Sequence, residues 1–309
     1  MKNIKKFAVL ILLIISARCW ALAPVVGYGY ATSVLPAKNQ EAFLSGFELG
    51  FKKILGYEAF RTLVIVERDT TGSPAGAIKT LSRLQEKGVS LITGFPTSHE
   101  ALQVADITKN TGQLTIFPSA GHSRLSSMGA NIVTTGESMK GYVKQTTEFL
   151  MNKFKNKSGL MVYNPEAVFS VNQKDEFENY IRNLPAHNKP GDIEFVRRAI
   201  SLKKHAIITG AIWIPGSKES LPFEKMAKQV YGIMPTTDIA AGFDVGVITA
   251  TVLKRTNGNY SKSAIIKAFS ENRCFSGISF GKICFPKEGG NGDGKLKFRY
   301  LTKQGLSNI

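Results

Sequence analysis

Between residues 63 and 117 the apolar positions switch back and forth between two periods. Residues 63–66 form a continuous aliphatic run, the mark of a strand covered on both faces as in parallel sheets. Ser73-Pro74 then supplies an N-cap and a first-turn proline, Ala77, Leu81 and Leu84 recur at helical spacing, and Gly88 ends the segment. Residues 89–93 read as the next strand. After Gly94 the run Thr97-Ser98-His99-Glu100 fits a capping box, and the helix it opens is closed by Gly112 before a strand at 114–117. Upstream, 25–30 reads as a buried first strand, and 41–55 as a helix with Phe43, Phe47, Phe51, Ile54 and Leu55 near one face. Short links between alternating strands and helices predict a parallel, right-handed α/β sheet.

Ligands of such sheets bind beyond the carboxyl ends of the strands. Those ends are the loops 30–33, 94–98 and 118–122, so the candidate contacts are Ser33, Thr97, Ser98, Ser119, Ala120, Gly121 and His122. The second loop is the most informative. A helix N-terminus there offers unpaired N–H groups and partial positive charge to an anion, and with Thr97 capping the helix, Ser98 is free to meet a ligand. The structural alternative is that both hydroxyls only cap and solvate the turn.

Charge and the N-terminus add a location. Lys2, Lys5 and Lys6 precede an apolar run at 7–15, and small residues follow at Ala17, Ala21 and Ala23, as in an export signal cleaved after Ala21 or Ala23. The run is too short to span a bilayer, and no later stretch is long enough. Arg18 argues against lipidation of Cys19. Without residues 1–23 about 286 residues remain, enough for two compact lobes. Four of the 40 basic residues and no acidic one lie in that signal, so the net charge of +17 becomes +13. A basic exported protein has at most a weak attraction to an anionic membrane surface, and because the lysines are spread along the chain as solvated positions, the charge leaves no nucleic-acid footprint and says little about the ligand. Cys274 and Cys284 remain as a pair, and Gly277 and Gly281 between them let the chain fold back; the expectation is a disulfide, with two buried thiols as the alternative.

Catalytic patterns fail one by one. The stretch 277–282 is one residue short of a phosphate loop and lacks a hydroxyl after its lysine. Gly27-Tyr28-Gly29 lacks the third glycine of a dinucleotide site. His99, His122, His187 and His205 have no metal-ligand spacing, and no Gly-x-Ser-x-Gly elbow is present. The glycine-rich stretch 289–294 reads as a flexible turn before a strand at 295–301, with too few carboxylates for a calcium loop. No cofactor or metal is expected; an exported hydrolase is the enzymatic alternative.

The ordered series Asp69, Pro74, Ala77, Gly88-Val89-Ser90-Leu91-Ile92-Thr93-Gly94, Ser98, Ala105 and Phe117-Pro118-Ser119-Ala120 resembles the first lobe of the leucine/isoleucine/valine-binding proteins. The resemblance resumes at Ala241-Gly242-Phe243-Asp244, at Phe275-Ser276-Gly277 and at Gly281-Lys282-Ile283-Cys284-Phe285. These relatives are type I periplasmic solute-binding proteins of ATP-driven importers. The resemblance implies an α/β fold of two lobes, each a mostly parallel sheet flanked by helices, with the ligand cleft between them. It places a signal at 1–23, lobe one at 24–134 plus 238–309, and lobe two at 135–237, reduced relative to the family. Within lobe two the expectations are a helix at 138–155, a strand at 159–163, a helix at 173–183 and a strand at 206–209. Residues 192–203 read as helical, or as a strand at 194–196.

In the amino-acid-binding members, Ser98 and the 118–122 loop would hold an α-carboxylate, with Gly121 standing where a threonine hydroxyl is usual. An aromatic and an acidic group of lobe two would meet the ammonium. Phe169 and Trp213 are the candidate walls, each equally a core ring, and Asp238 is the candidate acid, equally the N-cap of a helix at 240–255. The implied function is non-catalytic: capture of an amino acid, amide or carboxylic acid in the periplasm for an ABC permease of the inner membrane. The alternative of the same fold is a sensor with a degenerate cleft, feeding a signalling protein.

Overall fold

The computed structural model describes residues 24–30, 37–68, 70–153, 159–185, 193–197, 208–211, 220–232, 234–278, 281–292, 297–302 and 305–308. In chain order the first half runs β1 (Val26–Tyr30), α1 (Ala37–Leu55), α2 (Tyr57–Leu63), β2 (Val64–Arg68), α3 (Pro74–Glu86), β3 (Leu91–Gly94), α4 (Ser98–Thr108), β4 (Leu114–Phe117), a 3-10 turn (Ser123–Ser127) and β5 (Ile132–Thr134). The middle continues with α5 (Met139–Lys153), β6 (Gly159–Tyr163), α6 (Val168–Asn183), β7 (Ile193–Arg197), β8 (Ile208–Ala211) and α7 (Leu221–Tyr231). The chain then forms α8 (Thr237–Arg255), α9 (Lys262–Glu271), β9 (Cys274–Ser276), β10 (Lys282–Cys284), β11 (Gly290–Asn291), β12 (Lys297–Thr302) and β13 (Gly305–Asn308).

Six strands make the main sheet in the order β11-β5-β4-β3-β1-β2, every pair parallel. Tyr28, Ile116 and Val133 belong to the core on one face, shared with Phe47 and Phe51 of α1 and Val245 and Ile248 of α8. Ile92, Phe117 and Ile132 face the other way, onto Ala77, Leu81 and Leu84 of α3 and Ala101 and Ala105 of α4. The expected strand-and-helix alternation is therefore present, with one addition. Gly56 adopts φ 87° and starts the short helix α2, which takes Leu63 out of the predicted strand.

Four glycines fix the return of the chain onto this sheet. A Cβ at Gly46 would stand 2.0 Å from the Ile239 carbonyl oxygen, and one at Gly50 2.2 Å from that of Phe243. On the facing helix a Cβ at Gly242 would stand 2.0 Å from the Phe43 carbonyl oxygen, and at Gly246 2.2 Å from that of Phe47. The backbones of α1 and α8 thus touch, with residue numbers rising together, so the helices run parallel. Because α1 leaves the carboxyl end of β1, the first turn of α8 lies at that same edge. The Tyr28 and Phe47 rings, 4.8 Å apart, fill the space between sheet and helices.

Several expectations change in the second half. Residues 193–197 form β7, parallel to β6, so the strand reading holds where a helix was the first expectation. Helix α6 starts at Val168 rather than 173, which moves Phe169 from a loop into a helical first turn. Gly290–Asn291 is a strand rather than a flexible turn: it pairs with β5, Gly292 N–H donates to Thr134 O at 3.0 Å, and the Asn291 amide donates to Gly136 O at 2.8 Å. Helix α7 was not anticipated, and its Phe223 and Ala227 pack with Leu49, Ile239 and Phe243. The strands β12 and β13 join β8 in an antiparallel sheet, so the C-terminal hairpin is bonded to a strand of the middle segment.

Cys274 and Cys284 sit directly opposite each other in the antiparallel β9–β10 hairpin, with their sulfurs at disulfide-bonding distance. The wholly buried Asp244 carboxylate of α8 accepts the Ile278 N–H at 2.6 Å and ties that hairpin's turn to the core. Among the described residues no helix is long and apolar enough to cross a membrane.

Two outcomes follow for stability. Alanine normally gains about 1 kcal/mol over glycine inside a helix, yet Gly246→Ala should lose about 1–3 kcal/mol net because its methyl meets backbone; a urea midpoint that rises instead contradicts the close contact. Closing a loop of 10 residues, the Cys274–Cys284 bridge should contribute roughly 2–3 kcal/mol, so unfolding under reducing conditions should begin at clearly lower urea than under oxidising ones.

Candidate ligand cleft at the carboxyl edge of the first sheet

All strands of the main sheet end on one edge, so the loops after β1, β3 and β4 converge there. The loop after β3 is held tightly. Gly94 (φ 91°) and Phe95 (φ 52°) turn the chain back over β1, and the Phe95 N–H donates to Gly29 O at 2.7 Å. The Phe95 ring lies where any side chain at residue 29 would stand, since a Cβ there would be 2.2 Å from its Cζ. Glycine at 29 is thus a condition of this loop.

The cap of α4 forms as expected at Thr97, whose Oγ1 accepts the Glu100 N–H at 3.3 Å. The reciprocal half of the box differs from expectation. Glu100, wholly buried, accepts the Thr97 hydroxyl at 2.7 Å through one carboxylate oxygen and the Thr70 hydroxyl through the other. The Thr70 N–H in turn donates to Tyr30 O at 3.2 Å. One carboxylate therefore ties the ends of β1, β2 and β3 together, beside the positive end of α4, which offsets the cost of burying its charge.

Ser98 follows the cap and is only 5% exposed, yet its Oγ has no hydrogen-bond partner. An unpaired buried hydroxyl costs roughly 1–3 kcal/mol. The first-turn N–H groups beside it have no intrahelical acceptor. Together they form a donor set that the fold itself leaves unused, suited to a carboxylate or carboxamide oxygen.

The loop after β4 supplies the adjacent wall. Ser119 is exposed and adopts φ 67°, while Ala120 and Gly121 are buried; Ala120 O accepts the Thr134 hydroxyl at 2.6 Å, and Gly121 O accepts the Met139 N–H at 2.9 Å. A Cβ at Gly121 would stand 2.7 Å from Glu137 O, so a threonine does not fit without moving the segment that leaves β5. The same Cβ position lies 3.5 Å from Cε2 of Phe169, which is 42% exposed. The first turn of α6 therefore faces Gly121, and the Phe169 ring stands beside the loop. His122 caps the 3-10 turn, its Nδ1 accepting the Arg124 N–H at 3.2 Å. Burial holds its pKa below the ordinary imidazole value, the Arg124 charge adding to the effect and Glu176 opposing it.

Asp238 is not the N-cap of α8. Thr236 is, accepting the Ile239 N–H at 3.3 Å, because the helix begins at Thr237. That leaves the Asp238 carboxyl half-buried in the first turn, with a pKa raised by desolvation alone. The parallel packing of α1 and α8 sets it at the cleft edge of the sheet. Ser33 and Trp213 lie outside the described residues. Sequence reasoning missed the Thr70–Glu100 bond, which joins positions thirty apart, and Asn172, whose side chain reaches Ser123. Among the described residues no cluster of His, Cys, Asp and Glu suits a metal ion.

A periplasmic binding protein family model matches residues 26–189. Solved structures of the same fold include the leucine-binding protein LivK of Thermotoga maritima, 13% identical with TM-score 0.76, covering 93% of this chain and 97% of that one. A solute-binding protein of an R. palustris ABC transporter in complex with benzoate is 15% identical with TM-score 0.76, at 93% and 95% coverage. LivJ of Streptococcus pneumoniae, a branched-chain amino acid transporter substrate-binding protein in complex with isoleucine, is 13% identical with TM-score 0.73, at 93% and 99% coverage. No curated protein matches the sequence. Matched over more than half its length and folded as the two-lobed α/β type of these structures, the chain belongs to the periplasmic binding protein family.

Proposed function

We propose that the protein captures a small molecule bearing a carboxylate or carboxamide between its two lobes and presents the closed form to an inner-membrane ABC permease. The single observation carrying this reading is the buried, unpartnered Ser98 hydroxyl at the N-terminus of α4. In this arrangement the ligand's acid or amide head accepts from Ser98 and the free N–H groups of the first turn. Phe169 offers a flat apolar wall, and the half-buried Asp238 carboxyl is the candidate partner for a cationic group on the ligand. Gly121 contributes no hydroxyl, so the head is held with one side-chain donor fewer than a threonine would give. The relatives of this fold that bind leucine, isoleucine or benzoate lend the same range of heads and bodies.

For domain boundaries we propose residues 24–134 with the return from α7 to β11 as lobe one. The middle segment from α5 to β8, with β12 and β13, would be lobe two. The packing of α7 on α8 and the pairing of β12 with β8 support this division. Export through residues 1–23 and an oxidised Cys274–Cys284 pair fit a periplasmic site of action.

Amino acids, amides and organic and aromatic acids added to the ligand-stripped protein should include at least one that raises the melting temperature, since saturation near 100 times Kd adds roughly 2.7 kcal/mol. Ser98→Ala should weaken that ligand by roughly 10- to 100-fold, the loss of one hydrogen bond to a charged group. Equal affinity in the variant removes Ser98 from the site, and no stabilising compound across the panel removes solute capture.

A further inference from the structure

One face of α6 meets the cleft loop through two successive contacts and a charge. Phe169, Asn172 and Glu176 recur at spacings of three and four, which puts them on one side of the helix. Phe169 stands beside Gly121. The Asn172 carboxamide bonds Ser123 at both ends: its Oδ1 accepts the Ser123 N–H at 3.1 Å, and its Nδ2 donates to the Ser123 Oγ at 3.0 Å. Glu176 lies close enough to His122 to favour its protonated form. Val168, one position before Phe169, packs on the core between sheet and α3–α4.

A carboxamide held at both ends is a specific grip. The carboxamide presents a donor and an acceptor side by side, and one of its two partners is the backbone N–H of Ser123, which every residue but proline retains, so the loop's path as well as its side chain is held. The gripped residue follows directly on the candidate contacts 119–122. Any movement that carries α6 away from the sheet must break both bonds and expose the Phe169 edge.

We propose that Asn172 is a positioning residue: from the second lobe it fastens the loop 119–123, and through that loop it stabilises the closed arrangement of the cleft. The inference rests on the two-lobed capture reading, but its test needs no ligand. Spin labels at Lys79→Cys on α3 and Lys153→Cys on α5, both exposed positions in opposite lobes, report lobe separation in the mature, oxidised protein. The wild-type background should give a dominant short distance. Asn172→Ala should shift the closed-to-open ratio by roughly tenfold toward longer distances, the loss of two ordinary hydrogen bonds, with far-UV circular dichroism unchanged. Asn172→Asp, which keeps the acceptor for the Ser123 N–H and accepts a rotated Ser123 hydroxyl, should restore most of the short distance; a merely structural role in α6 would not distinguish Asp from Ala in this way. Ser123→Ala should open the lobes less than Asn172→Ala, because the backbone bond survives. Distance distributions identical in the wild type and Asn172→Ala overturn the proposal. A silent ligand panel strikes the capture reading and leaves this measurement able to decide the role of Asn172.

Discussion

The backbone contact between α1 and α8 is the constraint on which the rest of the architecture depends. Gly46 and Gly50 on one helix and Gly242 and Gly246 on the other leave no room for a methyl between carbonyl and Cα. That contact brings a segment some two hundred residues downstream back onto the first sheet, beside the rings of Tyr28, Phe47 and Phe51. Once α8 is docked, the disulfide hairpin follows through Asp244 and Ile278, and β11 is delivered to the free edge of β5. The middle segment is then bounded by chain that enters after β5 and returns before α8. A two-lobed form with the cleft at the strand ends is the geometric consequence.

Within that frame the cleft loops are fixed by buried polar contacts rather than by apolar packing alone. Glu100 joins Thr70 and Thr97, Thr134 holds the Ala120 carbonyl, and Asn291 holds the Gly136 carbonyl. Each satisfies its partner, so the loops are rigid where they need to be. Ser98 differs: it is a buried hydroxyl with no partner, as Tyr28, Thr115 and Thr135 are, but it alone of these four lies at a helix N-terminus. An open hydroxyl beside a positive helix end is the arrangement that suits an acid or amide oxygen.

The first lobe was legible because its signals are local. Ser73-Pro74, Gly88, Thr97 and Gly112 punctuate the segments, and the apolar period changes with each, so strands and helices could be placed to within a few residues. What escaped was set by distant partners or by uneven signals. Residues 193–197 have a helix-compatible pattern, but pairing with β6 decides for a strand. Pro222 near the start and Gly232 at the left-handed end of α7 were readable start-and-stop marks in a stretch for which no element was expected. The Thr70–Glu100 and Ser123–Asn172 bonds and the β8–β12 pairing join positions with no shared pattern, so only the folded chain reveals them. Asp238 was misplaced by two residues, because two threonines precede it and the first takes the cap.

Hydrogen exchange followed by mass spectrometry, with and without the most stabilising acid or amide, tests the central claim most directly. If the strand-end loops and α6 close together on one solute, amides in residues 94–100, 118–123 and 168–172 should slow in concert on ligand addition, while those of β12 and β13 stay unchanged. Protection confined to one of these three segments, or appearing only elsewhere in the chain, would contradict a cleft closed between two lobes.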